Sequence, residues 1–158
     1  MMNTTNSLKE LLANTYALML KTHTYHWNVT GPHFTELHHM FEDQYTDLFA
    51  AADRLAERIR SLGEYAPGGF KAYTALTFIN EPKEGLSAEE MLRDLTENHR
   101  KIATQAMQGI KIANQGGDDA TANMLTERVE QHEKQIWMLN SLSKEPCCTC
   151  KTTKRQAT

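Results

Sequence analysis

The body of the chain lacks cysteine. Cys147, Cys148 and Cys150 all fall among the last dozen of the 158 residues. No disulfide framework can staple what precedes them. Long apolar runs are also missing. No stretch of about 18 uninterrupted apolar residues occurs, so no transmembrane helix is expected. The opening MMNTTNSLKE has neither the basic start nor the apolar run of a secretory signal, and the cytoplasm is the expected compartment. Positive charge is not in excess. Lys plus Arg is 17 against 20 Asp plus Glu, a formal net charge of -3. A wholly basic nucleic-acid binder is thereby excluded, and only a local basic arm stays open. Collagen, a disordered acidic tail and a disulfide-packed miniature do not fit 40 % hydrophobic and 23 % charged residues. Neither G-x-G-x-x-G nor a Walker sequence is present.

What is present is helical periodicity. Leu8, Leu11, Leu12, Thr15, Leu18, Met19 and Thr22 recur at 3–4 spacing and predict a first helix from Leu8 to Asn28. Gly31-Pro32 stops it and restarts the chain. Phe34, Leu37, Phe41, Tyr45, Leu48, Ala52, Leu55, Ile59 and Leu62 then mark a second helix that ends at Gly63. Ser87-Ala88-Glu89-Glu90 is a capping box. It opens a third helix whose stripe is Leu92, Leu95, Ile102 and Ala106 and which fades at Asn114-Gln115-Gly116-Gly117. Asp118 or Asp119 caps a fourth, with Ala122, Leu125, Val129, Ile136 and Leu139 inward and Pro146 as its stop. A structureless crossover from Glu64 to Leu86 would be uncommonly long, so a short helix is expected near Phe70 to Thr77. The fold class is all-α: a four-helix bundle with one long crossover carrying an extra short helix. Residues 1–143 form the domain, and 144–158 a flexible basic tail containing the cysteines.

Metal-ligating residue types gather in the first two helices: His26, His38, Glu42, Asp53 and Glu57. His38 and Glu42 are i, i+4, as are Asp53 and Glu57, so each pair shares a helix face. The pairs stand fifteen positions apart, about 22 Å of helix rise, whereas metal bonds to oxygen and nitrogen are about 2.0–2.3 Å long. One chain cannot bring both pairs to one metal. A second copy, with its second helix antiparallel across a two-fold axis, would bring Asp53 and Glu57 of one subunit beside His38 and Glu42 of the other, and His26 would fold back to join them. Such a donor set suits Fe(II) or Mn(II), and zinc would bind its imidazoles too. Taken singly, these glutamates read as solvated, and both histidines as ordinary hydrogen-bonding groups. Asp53 lies among Phe49, Ala52 and Ala56, where an unpaired carboxylate would be costly. An intrasubunit dimetal centre fits poorly. The chain has one Glu-x-x-His, at Glu36 and His39, while Thr96 and Val129 precede His99 and His132. Those two read as buried, hydrogen-bonded histidines.

The run Tyr25-His26-Trp27-Asn28-Val29-Thr30-Gly31-Pro32-His33-Phe34, continued by Leu37-His38, Phe41-Glu42 and Asp53-Arg54-Leu55-Ala56-Glu57-Arg58-Ile59-Arg60-Ser61-Leu62-Gly63, resembles the Dps family of mini-ferritins within the ferritin-like superfamily. The resemblance implies a hollow shell of twelve subunits with ferroxidase sites at dimer interfaces. Each site would hold two irons, with zinc or manganese as substitutes. His26 and His38 match the family histidines. Glu42 stands where Asp is usual, keeping the charge on a longer arm. Asp53 and Glu57 match the carboxylates lent by the two-fold mate, with Glu57 bridging the irons, and Trp27 matches the aromatic residue beside the site. The implied reaction is oxidation of Fe(II) to Fe(III), with hydrogen peroxide preferred over dioxygen. The product would be stored as mineral, reached through three-fold pores lined by acidic residues between Asp118 and Glu130.

DNA is a candidate partner on weaker grounds. The start of the chain offers only Lys9 against Glu10, which argues against a basic arm there, whereas in the tail Lys144, Lys151, Lys154 and Arg155 stand against Glu145. Twelve such arms would add up through phosphate attraction, and would associate the particle with the nucleoid. The competing functions are a non-enzymatic DNA-compacting particle with a structural metal site, and a plain helical bundle with neither role. Cys147-Cys148-Thr149-Cys150 is too closely spaced for an ordinary zinc or iron–sulfur site.

Overall fold

A computed structural model describes residues 3–143. The cysteine-containing tail, its basic residues and Pro146 lie outside the described residues. Five helices follow in order: α1 Thr4–Asn28, α2 Phe34–Ser61, α3 Phe70–Leu76, α4 Ala88–Gln115 and α5 Asp119–Leu142. Among the described residues there is no strand. The architecture is the expected all-α bundle with a short extra helix in the crossover.

The termini follow from local chemistry. Helix α1 starts at Thr4, before the predicted Leu8, because the Asn3 side chain accepts the Asn6 N–H at 2.8 Å. The apolar stripe that guided the prediction begins one turn inside this polar cap. At α4, Ser87 accepts the Glu90 N–H and Glu90 accepts the Ser87 N–H, completing the expected capping box. Asp118 caps α5 through the Thr121 N–H. Helix α5 ends at Leu142, ahead of the proline expected to stop it.

Helices α1 and α2 form one hairpin, α4 and α5 the other, and α1 packs on α4. The core is built from Leu8, Leu12, Leu18, Phe41, Leu48, Leu55, Leu95, Ile102, Leu125 and Leu139 among others. Asn14, fully buried on α1, anchors the crossover. Its carbonyl accepts from the Thr77 hydroxyl at 2.8 Å and the Phe78 N–H at 2.9 Å, while its amide donates to Gln105 at 2.9 Å. Tyr73 of α3 stacks on Tyr16, with ring centroids 4.9 Å apart.

Charged groups tie the hairpins together. Lys21, buried on α1, meets Asp94 of α4 at 2.9 Å, and the Tyr25 hydroxyl donates to the same carboxylate at 2.6 Å. Burial works to raise the Asp94 carboxyl, but the hydrogen bonds from Tyr25 and Lys21 outweigh it and hold it below its usual range. Arg128 of α5 binds Asp47 of α2 through two nitrogens, at 2.9 and 3.2 Å. Arg58 of α2 donates to Asp118 and Thr121 of α5. Between α4 and α5, His99 and His132 share a hydrogen bond, Nδ1 to Nδ1 at 2.8 Å. Both are buried, as read from the sequence. Burial, helped by the nearby Arg128 guanidinium, pushes His99 down to about 3. Burial and then His99 itself push His132 well below its ordinary value.

This buried pair sets an acid sensitivity. Unfolded, each histidine takes a proton near pH 6.5. Folded, each refuses it. The stabilisation is therefore full above pH 6.5 and declines as pH falls toward the folded value, by up to about 1.4 kcal/mol per pH unit for each histidine. Thermal melts should show Tm falling steadily between pH 7 and 5, above the range where ordinary carboxylates titrate. A flat Tm across that interval would contradict a neutral buried pair.

Candidate metal centre

The end of α1 and the first turns of α2 bring two imidazoles together. The rings of His26 and His38 stack with centroids 3.7 Å apart and planes inclined at 19°. Their backbones lock them reciprocally. His26 Nδ1 lies 2.8 Å from the His38 carbonyl, and His38 Nδ1 lies 2.8 Å from the His26 carbonyl. A carbonyl oxygen can only accept, so both Nδ1 atoms carry the proton. In the neutral ring each Nε2 then keeps its lone pair, the form in which an imidazole binds a metal. The tight turn makes this exchange feasible, with Gly31 at a φ of 113° reversing the chain between the helices. His26 is buried and His38 half-buried.

Further rings surround the pair. His23 lies one turn before Trp27 and touches it, with centroids 4.1 Å apart, and lies 4.2 Å from Tyr45 of α2. Tyr45 also meets His26 edge-on at 5.3 Å, and Phe34 covers His38 at 5.1 Å. Burial and the neighbouring His26 lower His23, which favours its neutral form. His23 was not singled out from the sequence, and Tyr45 was read only as part of the apolar stripe of the second helix. The signal was there in spacing alone: His23, His26 and Trp27 are i, i+3, i+4, and Tyr45 is two turns beyond His38 on the same face of α2.

The carboxylates lie apart from the imidazoles. Glu42, Asp53 and Glu57 are exposed. The Glu42 carboxylate leans toward His39, 3.7 Å from its Nδ1, and not toward the stacked pair. The expectation that Asp53 sits in an apolar setting fails within one subunit. Its neighbour Phe49 is itself 57 % exposed, and Asp53 faces outward beside it. Among the described residues, no three His, Cys, Asp or Glu side chains of one chain converge on a point that could hold a metal ion. At 100° per residue, however, His38, Glu42, Phe49, Asp53 and Glu57 all fall on one stripe of α2. Trp27, 59 % exposed, and Phe34, 44 % exposed, add apolar surface near one end of that stripe. Of the acidic residues expected at pores, Asp118 and Glu127 are engaged by Arg58 and Arg54.

The model of the ferritin-like domain matches residues 5–145. The DNA protection during starvation protein of Brevibacillus brevis is 34 % identical over 134 residues, 85 % of this chain and 90 % of its own length. The chain belongs to the Dps family. A Dps structure from Staphylococcus aureus superposes with a TM-score of 0.87 at 33 % identity, covering 90 % of this chain and 96 % of the other. A Dps from Vibrio cholerae, described as a member of a broad superfamily of ferritin-like diiron-carboxylate proteins, superposes with a TM-score of 0.84 at 33 % identity, covering 87 % of each chain. Membership in the Dps family supports iron oxidation and storage as the general class of activity. Among the described residues of this Dps-family chain, no helix is long and apolar enough to cross a membrane.

The locked tautomer can be checked directly. Solid-state 15N spectra of histidine-labelled protein should show His26 and His38 protonated at Nδ1 and bare at Nε2. A neutral ring with its proton on Nε2 and a bare Nδ1 would contradict the geometry and remove that Nε2 as a metal donor.

Proposed function

We propose that this protein is a ferroxidase and iron-storage mini-ferritin. It oxidises Fe(II) with hydrogen peroxide at dinuclear sites shared between two subunits. The observation that carries the reading is the α2 stripe. Positions 42 and 53 are symmetric about the middle of the helix, and so are 38 and 57. Exposed Thr46, Phe49 and Ala50 lie between them. A two-fold axis through this small, partly apolar patch would pair Glu42 with Asp53 of the mate and His38 with Glu57 of the mate. The missing donors of each half-site would come from the other chain. The exposed Phe49 would be covered in the same step.

The roles follow from donor chemistry. His26 and His38 offer Nε2 lone pairs to Fe(II), the substrate. Asp53 and Glu57 of the mate, with Glu42, supply hard anionic oxygens that favour Fe(III) over Fe(II) by charge. Glu57 would bridge two irons. Two ferrous ions give one electron each to one peroxide, which takes up two protons and leaves as two waters. Pairing the irons thus avoids one-electron reduction of peroxide to hydroxyl radical. Trp27 stands beside the site as an oxidisable ring. Zinc or manganese would compete for the same donors.

Twelve subunits would enclose the ferric product. The cytoplasm, at or near the nucleoid, is the compartment this role suits. Removing Fe(II) and peroxide together protects DNA without any contact with it. The alternative of a DNA-compacting particle with a structural metal site rests on the basic tail, outside the described residues.

Stopped-flow mixing of Fe(II) and peroxide with the assembled protein, its mass measured on the same sample, tests the proposal. Two Fe(II) should be oxidised per peroxide. The double variant His26→Ala/His38→Ala should slow the reaction by at least about 100-fold, the upper end of what losing even an outer partner costs a metal site. An unchanged rate in that variant, or no fast oxidation in the wild type, would refute it.

A further inference from the structure

The centre of the bundle holds polar groups that the metal chemistry does not use. Gln44, on α2, is only 1 % exposed, and among the described residues neither its Oε1 nor its Nε2 has a hydrogen-bond partner. His99 is equally buried, and its Nε2 likewise has no partner among the described residues. Gln135 Oε1 on α5 is a fourth such atom. Their register brings them to one level. Helices α2 and α5 run antiparallel, since Arg58 meets Thr121 while Asp47 meets Arg128. One turn before Asp47 on α2 is Gln44. One to two turns beyond Arg128 on α5 are His132 and Gln135. His99 of α4 is joined to His132 by the 2.8 Å bond between their Nδ1 atoms. Helix register thus sets these unpartnered donors and acceptors of three helices at about the same height in the bundle.

We propose that this layer is a binding site for internal water, bridging the Gln44 amide, His99 Nε2 and Gln135 Oε1. The chemistry selects a small neutral molecule that both donates and accepts. Two amides and two neutral imidazoles carry no net charge. The Asp47 carboxylate beside them is already bound by Arg128, whose guanidinium opposes a cation. Buried waters typically make about three hydrogen bonds to groups otherwise left unpaired, and these residues offer that number. A bound water also suits the imidazole pair: whichever way the shared Nδ1 proton lies, His99 Nε2 finds in water either a donor or an acceptor. The site is independent of the iron reading, because none of its residues lies at the proposed ferroxidase centre.

A crystal structure of the full chain at about 1.8 Å or better should show an ordered peak within about 2.7–3.2 Å of both Gln44 and His99 Nε2. Direct contact between those two side chains with no intervening density would overturn the proposal. Gln44→Met keeps the volume and removes the water's partner. It should lower Tm by about 2–6 °C and abolish the peak. An unchanged or raised Tm would mean that the amide sits dry and unpaired, and would equally overturn the site.

Discussion

A straight helix holds side chains fifteen positions apart at a fixed distance of about 22 Å. That constraint governs the reading of this protein. Helix α2 carries imidazole and carboxylate donors on one stripe, yet no bending or rotamer change within a subunit can bring both ends to one ion. The stripe makes sense as half of a pair. The stacked His26 and His38 form the prepared half: each ring is fixed by the other residue's backbone, so two of the donors are oriented before any metal arrives. The carboxylate half is exposed, solvated and unconstrained in one subunit, as expected of groups whose partners lie elsewhere.

The same division explains the interior. A bundle core can house metals when facing helices point carboxylates and imidazoles inward. Here the inward charges neutralise one another: Lys21 with Asp94, and Arg128 with Asp47. His99 and His132 are bound to each other. These contacts join α1 to α4, α2 to α5 and α4 to α5. They fix how the two hairpins pack, and with it the outward face of α2 and the orientation of its stripe.

Much of this was legible in the sequence. The 3–4 spacing of Leu, Phe and Ile marked all four long helices, and Ser87 to Glu90 marked one start by its capping chemistry. The His26 to Glu57 pattern was specific enough to identify the family. What stayed hidden depended on contacts between distant residues. Nothing local in Lys21 or Asp94 shows that they will meet across 73 positions, or that Gln44 will turn inward. The setting of Asp53 was misjudged because its sequence neighbours are apolar, while helix geometry turns Phe49 outward with it. The mutual His26–His38 lock uses backbone carbonyls, which every residue has and no sequence pattern reports.

The shared site is tested most directly by subunit complementation. Inactive His26→Ala/His38→Ala subunits and inactive Asp53→Ala/Glu57→Ala subunits would be unfolded together and reassembled in equal amounts. If each site draws its histidines from one chain and its carboxylates from the other, a mixed dimer holds one intact site and one doubly damaged site. Random pairing should then restore about a quarter of wild-type ferroxidase activity. If all donors came from one chain, no intact site could form, and the mixture would remain as inactive as its parents.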